Sequence, residues 1–253
     1  MDRKLEEKWF IWAKKNRAEY VKKFIAKYNF NEYKSNQIIF LAGSPWSWKT
    51  EFINYMMKSW FDQFFVHVDL DEIRKIIPWY NWSNADSFQK WAIKIMEMLV
   101  DKLFSKGFNV LLDWTFWSKK VVYKNIKRAN EKWYDMKIYY VSFDPIIARK
   151  YTLWREFEKK RKIPLLSFFN QYYNSYNNIR SVIIKYPNIS IYILKKDLTK
   201  NWLSSKIHII QSVKELDYNQ YKYKPQEFKF LLLHDLFIIM ISYRIWSLFK
   251  INK

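Results

Sequence analysis

Lys49 and Thr50 close the segment Phe40-Leu-Ala-Gly-Ser-Pro-Trp-Ser-Trp-Lys-Thr-Glu-Phe52, which is a phosphate-binding loop at every position except Trp46 and Trp48. With glycine at those two places it reads as a complete G-x-x-x-x-G-K-[ST] loop. In such a loop, backbone N–H groups curl around phosphate oxygens, and the glycine before the lysine lets main chain and phosphate approach without an intervening Cβ. Gly43, Ser44, Pro45, Trp46, Ser47, Trp48, Lys49 and Thr50 would then surround ATP. The lysine would neutralise the β- and γ-phosphates, and the Thr50 hydroxyl would hold Mg²⁺. An indole at position 48 would fill space that the nucleotide needs. Either the loop is dead or glycine belongs at those positions.

Carboxylates come next. Val68-Asp-Leu-Asp-Glu-Ile-Arg74 places Asp69 and Asp71 at the tip of an apolar run. There, one acid could take the proton of an attacking hydroxyl while another supports a metal shell. The same spacing also suits an acid that caps the next helix; the pattern leaves both open. A basic run, Arg149, Arg155, Lys159, Lys160, Arg161 and Lys162, surrounds the turn before Pro164. It offers guanidinium groups to a transferring phosphoryl group, or a solvated helix face.

Glycine usage bears on the loop. The chain has 14 Trp and 2 Gly in 253 residues, whereas Gly normally makes up about 7% of residues. The tryptophans stand where turns want glycine: Asp113-Trp-Thr-Phe-Trp-Ser118, Pro78-Trp-Tyr-Asn-Trp-Ser83 and Glu131-Lys-Trp-Tyr134. Some bacterial lineages read UGA as tryptophan and others as glycine. A gene of the second kind translated with the table of the first would give this sequence, so glycine is expected at these positions.

These residues need a scaffold to hold them. Gln37 to Ala42 reads as a strand and Lys49 to Phe61 as the following helix. Further strands are expected at 64–69, 109–113, 137–143 and 189–194, with helices at 87–105, 119–132, 145–160 and 165–186. Strands alternating with helices predict an α/β fold, a parallel five-stranded sheet flanked by helices, with ligands at the carboxyl ends of the strands. Gly43, Asp69 and Asp113 all fall at such ends. Residues 1–36 are expected to form an amino-terminal helical segment, 37–196 the core, and 197–253 a helical extension carrying an apolar helix over 225–249. That last run is too short and too interrupted, at His234 and Asp235, for a membrane span.

Composition narrows the classes. The absence of cysteine excludes disulfides and thiolate metal sites. No signal-type apolar stretch opens the chain, so a cytoplasmic protein is expected. The net charge of +21 is mostly lysine in a composition that A/T-rich codons favour. It is therefore read as a solvated face rather than a nucleic-acid or membrane surface.

Four ordered motifs between Gln37 and Leu194 resemble the zeta toxin family of P-loop kinases. They are Ala42 to Glu51, Val68 to Tyr80, Leu112-Asp-Trp-Thr-Phe116, and Trp154-Arg-Glu-Phe-Glu-Lys-Lys-Arg-Lys-Ile-Pro164; each matches closely once tryptophan is replaced by glycine. The resemblance implies a P-loop kinase fold and transfer of the ATP γ-phosphate to the 3′-hydroxyl of UDP-N-acetylglucosamine. It implies Lys49 on the ATP phosphates, Asp71 as base with Asp69 as fallback, and Glu97, Asp113 and Thr115 on the acceptor. Arg155 and Arg161 would clamp phosphate. It also implies a small helical antitoxin as partner. Asp113 stands where some members carry Glu, and members differ in acceptor. Two other readings compete: a different P-loop phosphotransferase acting on a polynucleotide or a small hydroxylated molecule, and an inactive ATP-site protein if Trp46 and Trp48 are real.

Overall fold

In the computed structural model, the described residues are 3–28, 34–45, 47–56, 65–78, 80, 85–159, 163–195, 206–219, 223, 230 and 233. The strand order follows from alternation of apolar runs with amphipathic helices. After α1 (Arg3–Ile25), β1 (Gln37–Ala42) leads through the loop into α2 (Lys49–Met56). Next come β2 (Val66–Asp69), α3 (Leu70–Lys75), α4 (Ala85–Ser105), β3 (Val110–Asp113) and α5 (Lys119–Asn130). Then follow β4 (Asp135–Ser142), α6 (Pro145–Lys159), α7 (Leu165–Lys185), β5 (Ser190–Lys195), β6 (Lys206–Ile210) and α8 (Val213–Asn219).

The sheet order is β2-β3-β1-β4-β5-β6. The first five strands pair in parallel, as expected. The sixth corrects the expected count: β6 runs antiparallel to β5, pairing Ile191 with Ile210 and Lys195 with Lys206. It lies in the segment read as a helical extension. Its Ile-rich, β-branched sequence favours a pleated backbone. The expected helix over 225–249 lies outside the described residues, apart from Phe230 and Leu233.

Alternate residues of each strand face opposite sides. Ile38, Phe40, Val66, Val68, Val110, Leu112, Ile138 and Tyr140 share the larger core with Ala13, Val21 and Ile25 of α1 and with the apolar stripe of α4. Ile39, Leu41, Leu111 and Val141 face the other way, onto Phe52 and Ile53 of α2. A third cluster, Phe143, Ala148, Phe168 and Tyr172, joins the end of β4 to α6 and α7. Because β1 lies between β3 and β4, successive connections leave it in opposite directions. The crevice at its carboxyl end is where such sheets bind ligands.

Candidate active site

β1, buried on both faces, delivers the chain to Gly43 at φ 144°. A Cβ there would sit 2.6 Å from Ser47 Oγ and 2.8 Å from the Val141 carbonyl oxygen, so only glycine fits. The loop closes with the Ser47 N–H donating to the Ser44 carbonyl at 3.2 Å, then enters α2 as the Phe52 N–H donates to the Trp48 carbonyl at 3.0 Å. Lys49 is buried and folds back into the loop. Its Nζ donates to the Ser44 carbonyl at 2.7 Å, to the Gly43 carbonyl at 3.3 Å and to Ser47 Oγ at 3.4 Å. Removal from water lowers its pKa to about 8, against the pull of Asp113, Glu51 and Asp71. Thr50 is exposed one residue further on.

Trp48 occupies the left-handed region, at φ 65°. For an L-residue this costs about 1–2 kcal/mol, which glycine avoids. Its indole packs on Phe143 at 6.4 Å between ring centroids and meets Tyr151 edge-on at 5.8 Å. The side chain expected to fill the nucleotide's space is thus drawn into the α6–α7 cluster. Trp133, another tryptophan at a position read as glycine, has φ 58° and is 88% exposed. Trp46 lies outside the described residues.

The acids gather at the ends of the two strands on one side of the loop. Asp69 and Asp113 are register partners on adjacent parallel strands. Asp69 also caps α3, its Oδ1 accepting from the Asp71 N–H at 2.8 Å. Burial first, then the neighbouring Asp113 and Asp71, raises the Asp69 carboxyl to about 6. Asp113 is likewise raised to about 6, by burial, with Lys49 pulling it down and Asp71 and Glu51 pushing it up. Through these mutual influences Lys49, Asp69, Asp71 and Asp113 form one electrostatic neighbourhood. Asp71, in the first turn of α3, pairs with Arg74, whose other terminal nitrogen donates to Gln89 of α4.

The remaining expected site residues are placed differently. Glu97 on α4 forms an ion pair with Lys124 of α5 at 2.6 Å, and its carbonyl accepts from Arg128 at 3.0 Å. Thr115 is half-buried in the turn after β3. That turn passes through Phe116 at φ 62° and is held by Asn178 of α7, which donates to the carbonyls of Phe116 at 2.9 Å and Trp117 at 3.0 Å. Arg155 is carried by α6, with its side chain outside the described residues; Arg161 lies outside them altogether. Within the same basic run, Arg149 is structural. Its Nη1 donates to the Ile163 carbonyl at 2.8 Å and to Thr152 Oγ1 at 3.0 Å, and the guanidinium lies over the Phe168 ring.

Sequence reasoning missed Arg74, Gln89 and Asn178. The i,i+3 spacing of Asp71 and Arg74 was a readable signal for the first of these. Asn178, a poor helix former in the middle of a helix, hinted at a tertiary role for the last.

The residues present fit a nucleoside triphosphate. The loop has no room for a Cβ at its first glycine, a lysine lies inside it, and a hydroxyl is exposed at the start of the following helix. Such a loop and helix start is the arrangement that receives phosphate.

The zeta toxin family model matches residues 22–206. Among solved structures, the chain is similar to one from work on the PezAT chromosomal toxin-antitoxin system of Streptococcus pneumoniae. Identity is 20% and the TM-score 0.63, covering 88% of this chain and 92% of that one. It is also similar to the AvrRxo1-ORF1:AvrRxo1-ORF2 complex with sulphate ions, at 11% identity and a TM-score of 0.53, covering 88% of this chain and 74% of that one. The same complex with ATP aligns at 11% identity and a TM-score of 0.50, covering 82% and 66%. At these identities the structures share the fold. No curated protein matches the sequence.

Proposed function

We propose that this chain, which belongs to the zeta toxin family, transfers the ATP γ-phosphate to a hydroxyl of a nucleotide sugar, the 3′-hydroxyl of UDP-N-acetylglucosamine. The observation that carries the reading is the convergence of a phosphate-type loop and a buried lysine with two aspartates at the ends of adjacent strands and a third in the first turn of α3. A cation that binds phosphate and a carboxylate that accepts a proton are the two parts such a transfer needs from the protein.

ATP supplies the electrophilic phosphorus. Lys49, released from the loop carbonyls, holds the β- and γ-oxygens, and Thr50 holds Mg²⁺ through its hydroxyl. Asp71 accepts the proton of the attacking hydroxyl; Asp69 is the alternative base. The new O–P bond forms as the bond to the β-phosphate oxygen breaks, and ADP carries away the displaced electron pair. Asp113 and Thr115 orient the acceptor, and Glu97 contributes once freed from Lys124. Arg155 and Arg161 stabilise charge spreading over the transferring oxygens. Residues 37–196 are taken as the catalytic core. A small helical antitoxin that covers the nucleotide site is the proposed partner, and the cytoplasm the proposed location. Among the described residues no helix is long and apolar enough to cross a membrane.

We also propose that glycine stands at positions 46 and 48 in the native protein, through UGA reassignment. The left-handed backbone at Trp48 and Trp133 supports this. Tandem mass spectrometry of the tryptic peptide spanning residues 35–49, from protein made in its native host, is the test. Glycine masses at both positions are expected; tryptophan at both would end the recoding argument and favour an inactive ATP-site protein. For the activity itself, ATP consumption dependent on UDP-N-acetylglucosamine is expected. Consumption that depends instead on a polynucleotide end or another hydroxylated molecule would move the chain to a different class of phosphotransferase.

A further inference from the structure

Arg74 is 5% exposed, among the few charged side chains in the interior of the described residues, and it joins α3 to α4. One terminal nitrogen donates to Asp71 Oδ1 in the first turn of α3. The other donates to Gln89 Oε1, fifteen residues further along the chain on α4. α4 is anchored to the core through Phe88, Ala92 and Ile95, which are buried beside Gln89 in sequence. α3, by contrast, is six residues long. A helix that short has little stability of its own, so its orientation comes from its contacts.

We propose that Arg74 is a positioning residue for the base: its guanidinium spans Asp71 and Gln89 and aims the Asp71 carboxylate at the acceptor hydroxyl. This rests on the reading of Asp71 as the base. Three physical points carry it. A buried guanidinium is tolerated only where its charge and N–H groups are met, and Asp71 and Gln89 supply a counter-charge and an acceptor. Arginine holds a planar fork with fixed spacing between its nitrogens, so two acceptors are locked relative to each other, which lysine's single ammonium cannot do. Asp69 caps the same turn through the Asp71 N–H, so main chain and side chain of Asp71 are each held by a partner of their own.

The test is steady-state kinetics with ATP and UDP-N-acetylglucosamine on the full chain, with melting temperature recorded for every variant. Arg74→Ala is expected to lower kcat roughly 100-fold, the scale of misplacing a reacting group by about 1 Å, while KM for ATP stays within about twofold. Arg74→Lys keeps the charge without the fork and is expected to recover about tenfold of that loss. Gln89→Met removes one arm and leaves Asp71 paired. It is expected to lower kcat about fivefold with KM for ATP unchanged, and it serves if Arg74→Ala does not fold. Combined with Asp71→Asn, Arg74→Ala should cost nothing further, since its effect runs through that carboxylate. Wild-type kcat in both Arg74→Lys and Gln89→Met, or losses that multiply in the double variant, would overturn the positioning role while leaving the base in place. An active Asp71→Asn would overturn the assignment of the base, a different outcome.

Discussion

The phosphate loop and the acid corner lie at the carboxyl ends of neighbouring strands and are built by opposite means. The loop is made of backbone. Gly43 has no room for a Cβ, and Lys49 is held by carbonyls of its own loop. The acid corner is made of side chains: Asp69 beside Asp113 on neighbouring strands, and Asp71 fixed by Arg74. A backbone-built site is sensitive to which residue can adopt the required φ. A side-chain-built site is sensitive to charge and hydrogen-bond geometry. Tryptophan at position 48 therefore strains the first without touching the logic of the second.

The sharpest break of this contrast is Lys49→Ala, which leaves the loop backbone but removes its only cation. ATP-dependent transfer is expected to fall by about 10³-fold or more, measured as ADP release. Asp71→Asn should lower kcat by roughly 10²–10³ with little change in ATP affinity, since calorimetry reads the loop and turnover reads the corner. A parallel loss of ATP binding in Asp71→Asn would dissolve the division between the two.

Glycine substitutions probe the backbone side alone. Trp48→Gly relieves the left-handed strain of about 1–2 kcal/mol, and with no Cβ between main chain and phosphate ATP should bind about tenfold more tightly by calorimetry. Its stability gain is offset by loss of the indole's contacts with Phe143 and Tyr151. Trp133→Gly carries no such offset, because the indole is exposed. Its melting temperature should rise by roughly 2–4 °C.

The acid corner has the smaller but more specific signature, in pH. Asp113 titrates at about 6 in the folded chain against an ordinary value of 3.8. Between about pH 4 and 6 the folded state holds a proton that the unfolded state has released, so stability falls as pH rises through that window. Asp113→Asn should melt closer to wild type at pH 4 and gain on it at pH 7. Asp69, also at about 6, keeps part of the slope in the variant.

The loop and the acids were legible because each is a local string. Gly43, Lys49 and Thr50 lie within one turn of chain, and Asp69 and Asp113 end apolar runs. Parallel register then brought the two aspartates side by side, as strand ends in such a sheet must. What stayed hidden depends on contacts distant in sequence. Gln89 reaches Arg74 across α4, and Asn178 holds the turn at Phe116 from α7, 62 residues away. Glu97 matched an acceptor position by resemblance, but its pairing with Lys124 depends on how α4 and α5 pack, which a linear pattern does not encode. β6 escaped notice because a short Ile-rich run carries no helix–strand distinction until a partner strand is present.

The most direct test of the account is transfer of labelled γ-phosphate from ATP to UDP-N-acetylglucosamine, with Mg²⁺, by the protein from its native host and by its Lys49→Ala variant. The native protein is expected to give a labelled sugar nucleotide phosphorylated at the 3′-hydroxyl, and the variant none. Native protein that binds ATP yet labels no sugar nucleotide, or a variant that labels it equally well, would contradict it.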